Sequence, residues 1–206
     1  MILRYKISHI LSHLSITFIP RACLGKLTKG QNMIQKLSHT PIKSSAGQGK
    51  NMIRVCFVCH GNICRSTMSQ FVFQDMVNKK GLTDHFYINS AATSREEIGN
   101  GPHYGTVNKM KQVGIPVLLH RAVQMTKKDY REYDYLIGMD EANIRNMMRI
   151  AGGDPEGKIH MLLDYSDSPR AIADPWYTGN FDVTYDDVVE GCTAFLNYLE
   201  ERGRIF

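Results

Sequence analysis

The feature that most constrains this chain is the segment from Ile53 to Lys79. A seven-residue apolar run, Ile53-Arg54-Val55-Cys56-Phe57-Val58-Cys59, ends abruptly at His60-Gly61-Asn62. A helical period follows from about Thr67 to Lys79, shown by Met68, Phe71, Val72, Asp75 and Met76. The run suits a buried strand, and the period that follows suits a helix. Gly81 stands just past the helix, where a left-handed cap is wanted.

The alternation continues to the C-terminus. Phe86 to Ala91 reads as a second strand, followed by a loop from Thr93 to Gly101. A helix is predicted from Tyr104 to Val113, stopped by Gly114 and Pro116, and a short one after the Thr126-x-x-Asp129 cap. Tyr133 to Met139 is the third strand, Asp140 caps a helix ending at Gly152-Gly153, and Lys158 to Leu163 is the fourth strand. A last helix is expected after a Thr184-x-x-Asp187 cap, with Val188, Val189, Cys192, Phe195, Leu196 and Leu199 on one face. This order predicts an α/β fold: a doubly wound, four-stranded parallel sheet with helices on both faces. A ligand should then sit beyond the carboxyl ends of the strands.

Charge divides the chain in two. Of 25 Lys and Arg and 20 Asp and Glu in 206 residues, eight basic residues and no acid fall in residues 1–52. Residues 53–206 carry 17 basic and 20 acidic side chains, a net of −3. The basic surplus therefore belongs to the extension, and nucleic acid is not an expected partner of the main domain. Residues 1–52 read as a basic extension: a disordered arm, an organelle transit segment, or sequence upstream of a true start at Met52. Residues 53–206 form the domain. No run of eighteen apolar residues occurs, so no membrane span is expected. The cysteines, Cys23, Cys56, Cys59, Cys64 and Cys192, are odd in number and lack the spacing of secreted domains. A reducing, cytoplasmic setting is expected.

The chemistry lies in Cys59-His60-Gly61-Asn62-Ile63-Cys64-Arg65-Ser66, between the first strand and the first helix. A loop in that place turns successive backbone N–H groups into one concavity at a helix N-terminus, which holds a phosphate-sized anion. Gly61 and Asn62 tolerate the backbone angles of tight curvature. Arg65 can grip two phosphate oxygens with its planar fork. The same dipoles favour a thiolate at Cys59, a nucleophile facing phosphorus. Ser66 can donate a hydrogen bond to that sulfur. Against this stand plainer readings of Cys59 and Cys64: two small buried hydrophobes, half of a metal site, or a redox pair. The eight-residue string in a strand–loop–helix context favours phosphate.

Cleaving a phosphate ester also needs an acid for the leaving oxygen. Asp174-Pro175-Trp176-Tyr177 lies in the loop before the last helix, at the same end of the sheet. Asp174 is the candidate acid, and Trp176 and Tyr177 are candidate walls for an aromatic ester. A plain Asp-Pro turn is the equal alternative on local sequence.

From Ile53 onward the chain resembles the low-molecular-weight protein tyrosine phosphatases. The resemblance is carried by VCFVCHGNICRST, by ADPWY, and by the blocks SAATS at Ser90–Ser94 and GMDEAN at Gly138–Asn143. It implies a phosphocysteine on Cys59, phosphate binding by Arg65, and Asp174 as acid and then base, without metal or organic cofactor. It implies that His60, Gly61, Asn62, Ile63, Cys64 and Ser66 complete the phosphate loop, that Ser90 and His120 support it with Asn62, and that Glu97, Trp176 and Tyr177 touch substrate. Cys64 would be able to capture an oxidised Cys59 as a disulfide. Two departures stand out: Thr67 replaces a usual proline, and Trp176 a usual tyrosine. The implied substrate is a phosphotyrosine-containing protein, and the expected state is a monomer or weak dimer.

Related folds serve other chemistry. Arsenate reductases need further cysteines downstream, and none occurs between Cys64 and Cys192. Arginine phosphatases carry a threonine after the loop asparagine, where this chain has Ile63. A non-catalytic phosphoprotein-binding module would not need Cys59, Arg65 and an acid together.

Overall fold

The computed structural model describes residues 52–205. The expected extension, up to residue 51, lies outside the described residues. A four-stranded parallel sheet has the order β2-β1-β3-β4, from β1 (Ile53–Cys59), β2 (Phe86–Ala92), β3 (Tyr135–Gly138) and β4 (Ile159–Met161). The helices are α1 (Arg65–Lys79), α2 (Tyr104–Gln112), α3 (Lys127–Glu132), α4 (Glu141–Ala151), α5 (Pro175–Thr178) and α6 (Phe181–Glu201).

β1 shows why the sheet needs cover on both sides. Ile53, Val55, Phe57 and Cys59 point into a core with Phe71, Phe73, Val188, Phe195 and Leu196 of α1 and α6. Cys56 and Val58 point the other way, among Met125, Tyr130, Met147 and Ala151. Alternate side chains of one strand thus feed two cores, as the continuous apolar run required. No helix among the described residues is long and apolar enough to cross a membrane.

Five elements differ notably from expectation. The first helix starts at Arg65 rather than Thr67, so the phosphate-gripping candidate belongs to its first turn. β3 begins at Tyr135, and Leu162–Tyr165 leaves β4 as a 3-10 turn. α5 occupies what read as a loop: Asp174 accepts the Trp176 N–H at 3.1 Å, and Pro175 fits the first helical position. The last helix begins at Phe181, not after Thr184. Asn180 Oδ1 caps it by accepting the Val183 N–H at 3.1 Å. Thr184 is buried one turn in and donates back to the Asn180 carbonyl at 3.1 Å.

Candidate active site

Parallel register sets the site's depth. Cys59 at the end of β1 lies opposite Ala92 at the end of β2. The main chains then stay together: Thr93 N–H donates to the Cys59 carbonyl at 2.8 Å and Ser94 N–H to the His60 carbonyl at 3.0 Å. The Thr93–Gly101 loop is thereby laid along the phosphate loop. Among the described residues no side chain caps α1, which leaves its first-turn N–H groups open to a ligand.

The curl turns on Asn62. It is the one described non-glycine residue with positive φ, at 58°, and it is fully buried. Its Nδ2 donates to Ser66 Oγ at 3.0 Å and to Ser90 Oγ at 2.9 Å, while its Oδ1 accepts the Val123 N–H at 3.2 Å. Its carbonyl accepts from His120 Nε2 at 2.8 Å and from Thr67 Oγ1 at 2.9 Å. Every polar group of the side chain is used, which offsets the cost of a left-handed asparagine. Gly61 is not left-handed. Its constraint is space, since a Cβ would come 3.2 Å from Glu97 Cγ. Burial lowers the His120 pKa, only partly offset by its bond to Asn62, so the ring is a neutral Nε2–H donor.

Cys59 Sγ sits inside this curl. It accepts the Asn62 N–H at 3.3 Å and lies 3.1 Å from Ser66 Oγ. Because the Ser66 oxygen already accepts from Asn62, its own hydrogen is free to point at the sulfur. Cys64 differs: burial first, then the charges of Cys59 and Asp174, push its thiol up to about 12.

Arg65 is 2% exposed and spans the site. Nη1 donates to Asp140 Oδ2 at 2.5 Å and to the Ile172 carbonyl at 3.1 Å, and Nη2 donates to Asp174 Oδ2 at 2.5 Å. Burial alone would lower the guanidinium pKa. The negative neighbours Cys59, Asp174 and Asp140 outweigh it and raise the value. Nε is buried without a hydrogen-bond partner among the described residues, a donor left for an anion.

A cavity of about 520 Å³ opens above the loop, lined by Cys59, His60, Gly61, Ile63, Cys64, Glu96, Glu97, Asp174, Trp176 and Tyr177. Nine of these ten come from the sequence reading; Glu96 is the addition. Asn62, Arg65 and Ser66 lie buried behind the cavity, and Ser90 and His120 brace them. Glu96 Oε2 meets His60 Nε2 at 3.0 Å on the rim.

Three more residues escaped the sequence reading. Asp140 was read only as a helix cap, although its place at the carboxyl end of β3 was a signal. Thr67 was read only as a departure; its hydroxyl makes a bond to the loop that a proline could not. Gln70 accepts from Ser90 Oγ at 2.6 Å, which orients that hydroxyl's oxygen toward Asn62, and no sequence signal marked it.

The profile of low molecular weight phosphotyrosine protein phosphatases matches residues 54–204. The low molecular weight protein-tyrosine-phosphatase YfkJ of Bacillus subtilis is 38% identical over 156 residues, covering 75% of this chain and all of that protein. Its crystal structure superposes with a TM-score of 0.72, over 76% of this chain and 99% of that one. The human low molecular weight phosphotyrosine protein phosphatase is 40% identical over 147 residues, covering 69% of this chain and 92% of that protein. An arginine phosphatase from Drosophila has the same fold, with 27% identity and a TM-score of 0.67 over 72% of this chain and 98% of that one.

Proposed function

The chain belongs to the low molecular weight phosphotyrosine protein phosphatases, and from that premise we propose that it hydrolyses protein phosphotyrosine in two displacements on Cys59. In the first, the sulfur attacks phosphorus and the bond from phosphorus to the tyrosine oxygen breaks. Asp174 gives the departing phenolate its proton. The phosphate loop N–H groups and the Arg65 guanidinium hold the non-bridging oxygens, whose charge must be matched throughout. In the second step, Asp174 takes a proton from water as it attacks the phosphocysteine. Sulfur leaves as a thiolate, steadied by the Ser66 hydroxyl, and inorganic phosphate departs.

Arg65 stands between two carboxylates. Asp140 and Asp174 hold Arg65 through separate nitrogens, which keeps the guanidinium in place through both steps.

The observation that carries this reading is the sulfur of Cys59, inside the curl and facing one cavity with Asp174. Ile63 on the wall favours a flat phenyl ring over a phosphorylated guanidinium, which weighs against arginine phosphatase activity. The test is phosphate release from p-nitrophenyl phosphate and from a phosphotyrosine peptide by wild type and Cys59→Ser. Loss of nearly all turnover in the variant is expected for both substrates. Turnover equal to wild type would end the proposal.

A further inference from the structure

Trp176 is shared by two hollows. One face walls the reaction cavity. The other walls a groove of about 560 Å³, lined also by His103, Tyr104, Pro175, Gly179 and Phe181. None of these six is an acid, a lysine or an arginine, whereas the reaction cavity's rim carries His60, Glu96 and Glu97.

The groove has a rigid floor. The His103 ring stacks on Phe181, with centroids 5.2 Å apart and planes within 4°. It meets Trp176 edge-on at 5.7 Å and Tyr104 at 4.2 Å. The ring Nδ1 accepts the Gly105 N–H at 3.1 Å, and the His103 backbone N–H donates to the Ile63 carbonyl of the phosphate loop at 2.9 Å. Phe181 lies directly on the helix backbone, since a Cβ at Gly105 would come 2.3 Å from the ring. With those contacts made, the floor cannot collapse to fill the groove. The walls, however, stay in solvent: Tyr104 is 73% exposed and Trp176 57%. Large aromatic surfaces gathered around a preformed hollow are the kind of exposed apolar patch that marks recognition.

We propose that this groove is a second subsite for the protein substrate, taking an apolar or aromatic side chain near the phosphotyrosine. The inference rests on the phosphatase reading of the adjoining cavity. The occupant follows from continuity: a polypeptide whose phosphotyrosine fills the cavity and whose chain leaves past Trp176 meets the groove next. An extended chain advances about 3.3 Å per residue, so two or three residues cross an indole-sized wall. Partial burial of one Leu or Phe side chain there supports a preference of about 3- to 10-fold over alanine.

The experiment uses the full chain and phosphotyrosine peptides carrying Leu, Phe, Ala or Asp at each of the three positions on either side. kcat/KM is measured for wild type, Tyr104→Ala and Tyr104→Phe, with p-nitrophenyl phosphate as the small substrate. Leu or Phe should be preferred at one position by wild type and by Tyr104→Phe. Tyr104→Ala should lose the preference yet turn over p-nitrophenyl phosphate at the wild-type rate. A flat peptide profile in wild type, or a profile unchanged in Tyr104→Ala, would overturn the subsite. So would equal loss of small-substrate turnover in Tyr104→Ala, which would make Tyr104 a support of the reaction cavity. Failure of wild type on p-nitrophenyl phosphate would overturn the phosphatase reading and the subsite with it, which keeps the two failures apart.

Discussion

Replacing Asp174 with asparagine should move two measurements in opposite directions. The side chain has three jobs: it holds Arg65 Nη2 at 2.5 Å, it caps α5 through the Trp176 N–H, and it lines the reaction cavity. Asparagine keeps the shape and the capping oxygen but loses both the transferable proton and the charge. General acid catalysis is worth about 10²- to 10⁴-fold when the leaving group needs a proton. Phenols have an ordinary pKa of about 10, so kcat for a phosphotyrosine peptide should fall by about that factor. A nitrophenolate leaves without help, and the loss on p-nitrophenyl phosphate should be smaller. Anion binding should strengthen. Two unit charges ~4 Å apart at an effective dielectric of about 20 interact by about 4 kcal/mol. The Asp174 side chain is 21% exposed in an open cavity, and screening reduces the figure to about 1–2 kcal/mol, or roughly 5- to 30-fold in affinity. Inorganic phosphate inhibition and steady-state kinetics on the two substrates measure all three effects. An equal drop for both substrates, together with weaker phosphate binding, would show that Asp174 acts only as a structural partner of Arg65.

Two more outcomes follow from the shifted groups. His120 is buried neutral with a lowered pKa, so the unfolded chain takes up a proton that the folded ring refuses. Its stabilising effect is full above the ordinary histidine value of about 6.5 and is lost as pH falls through that value to the folded one. The thermal midpoint should drop between about pH 7 and pH 5, less steeply in His120→Gln, and parallel curves would refute the assignment. Because burial pushes the Cys64 thiol up to about 12, iodoacetate at neutral pH should label Cys59 before Cys64, and inorganic phosphate should slow the labelling. Mass spectrometry of the labelled peptides checks this, and equal labelling of both cysteines would count against it.

What the sequence made legible was local. The curl needs a residue tolerant of positive φ, and Asn62 stood in the string to supply it. Trp176 and Tyr177 were close enough to Asp174 to be read with it. The misreadings were also local, and each came from two signals competing at short range. Thr184-x-x-Asp187 imitates a capping box, but Asn180 caps one turn earlier because Phe181 must already lie helical against Gly105. Leu162 and Leu163 look like strand residues and are fully buried, yet Asp164 Oδ2 accepts the Met161 N–H at 2.8 Å and starts a turn instead. Apolarity reported burial correctly there and secondary structure incorrectly.

The partners of Arg65 were beyond such reading, because they depend on register across the sheet. Asp140 follows β3 and Asp174 starts α5, 75 and 109 residues from Arg65. Nothing in the local pattern of either carboxylate separates it from an ordinary helix cap, and each does cap a helix. That double use has a physical consequence. A capping carboxylate is fixed by its own backbone, so each oxygen meeting Arg65 has little freedom to follow the guanidinium if it moves. Two such fixed acceptors, with the Ile172 carbonyl, define where the cation stands before any anion arrives. Preorganisation of this sort lowers the cost of binding the transition state rather than the substrate alone. The sheet therefore contributes to the chemistry by placing three strand ends level with one another, and the phosphate loop is only the most visible of them.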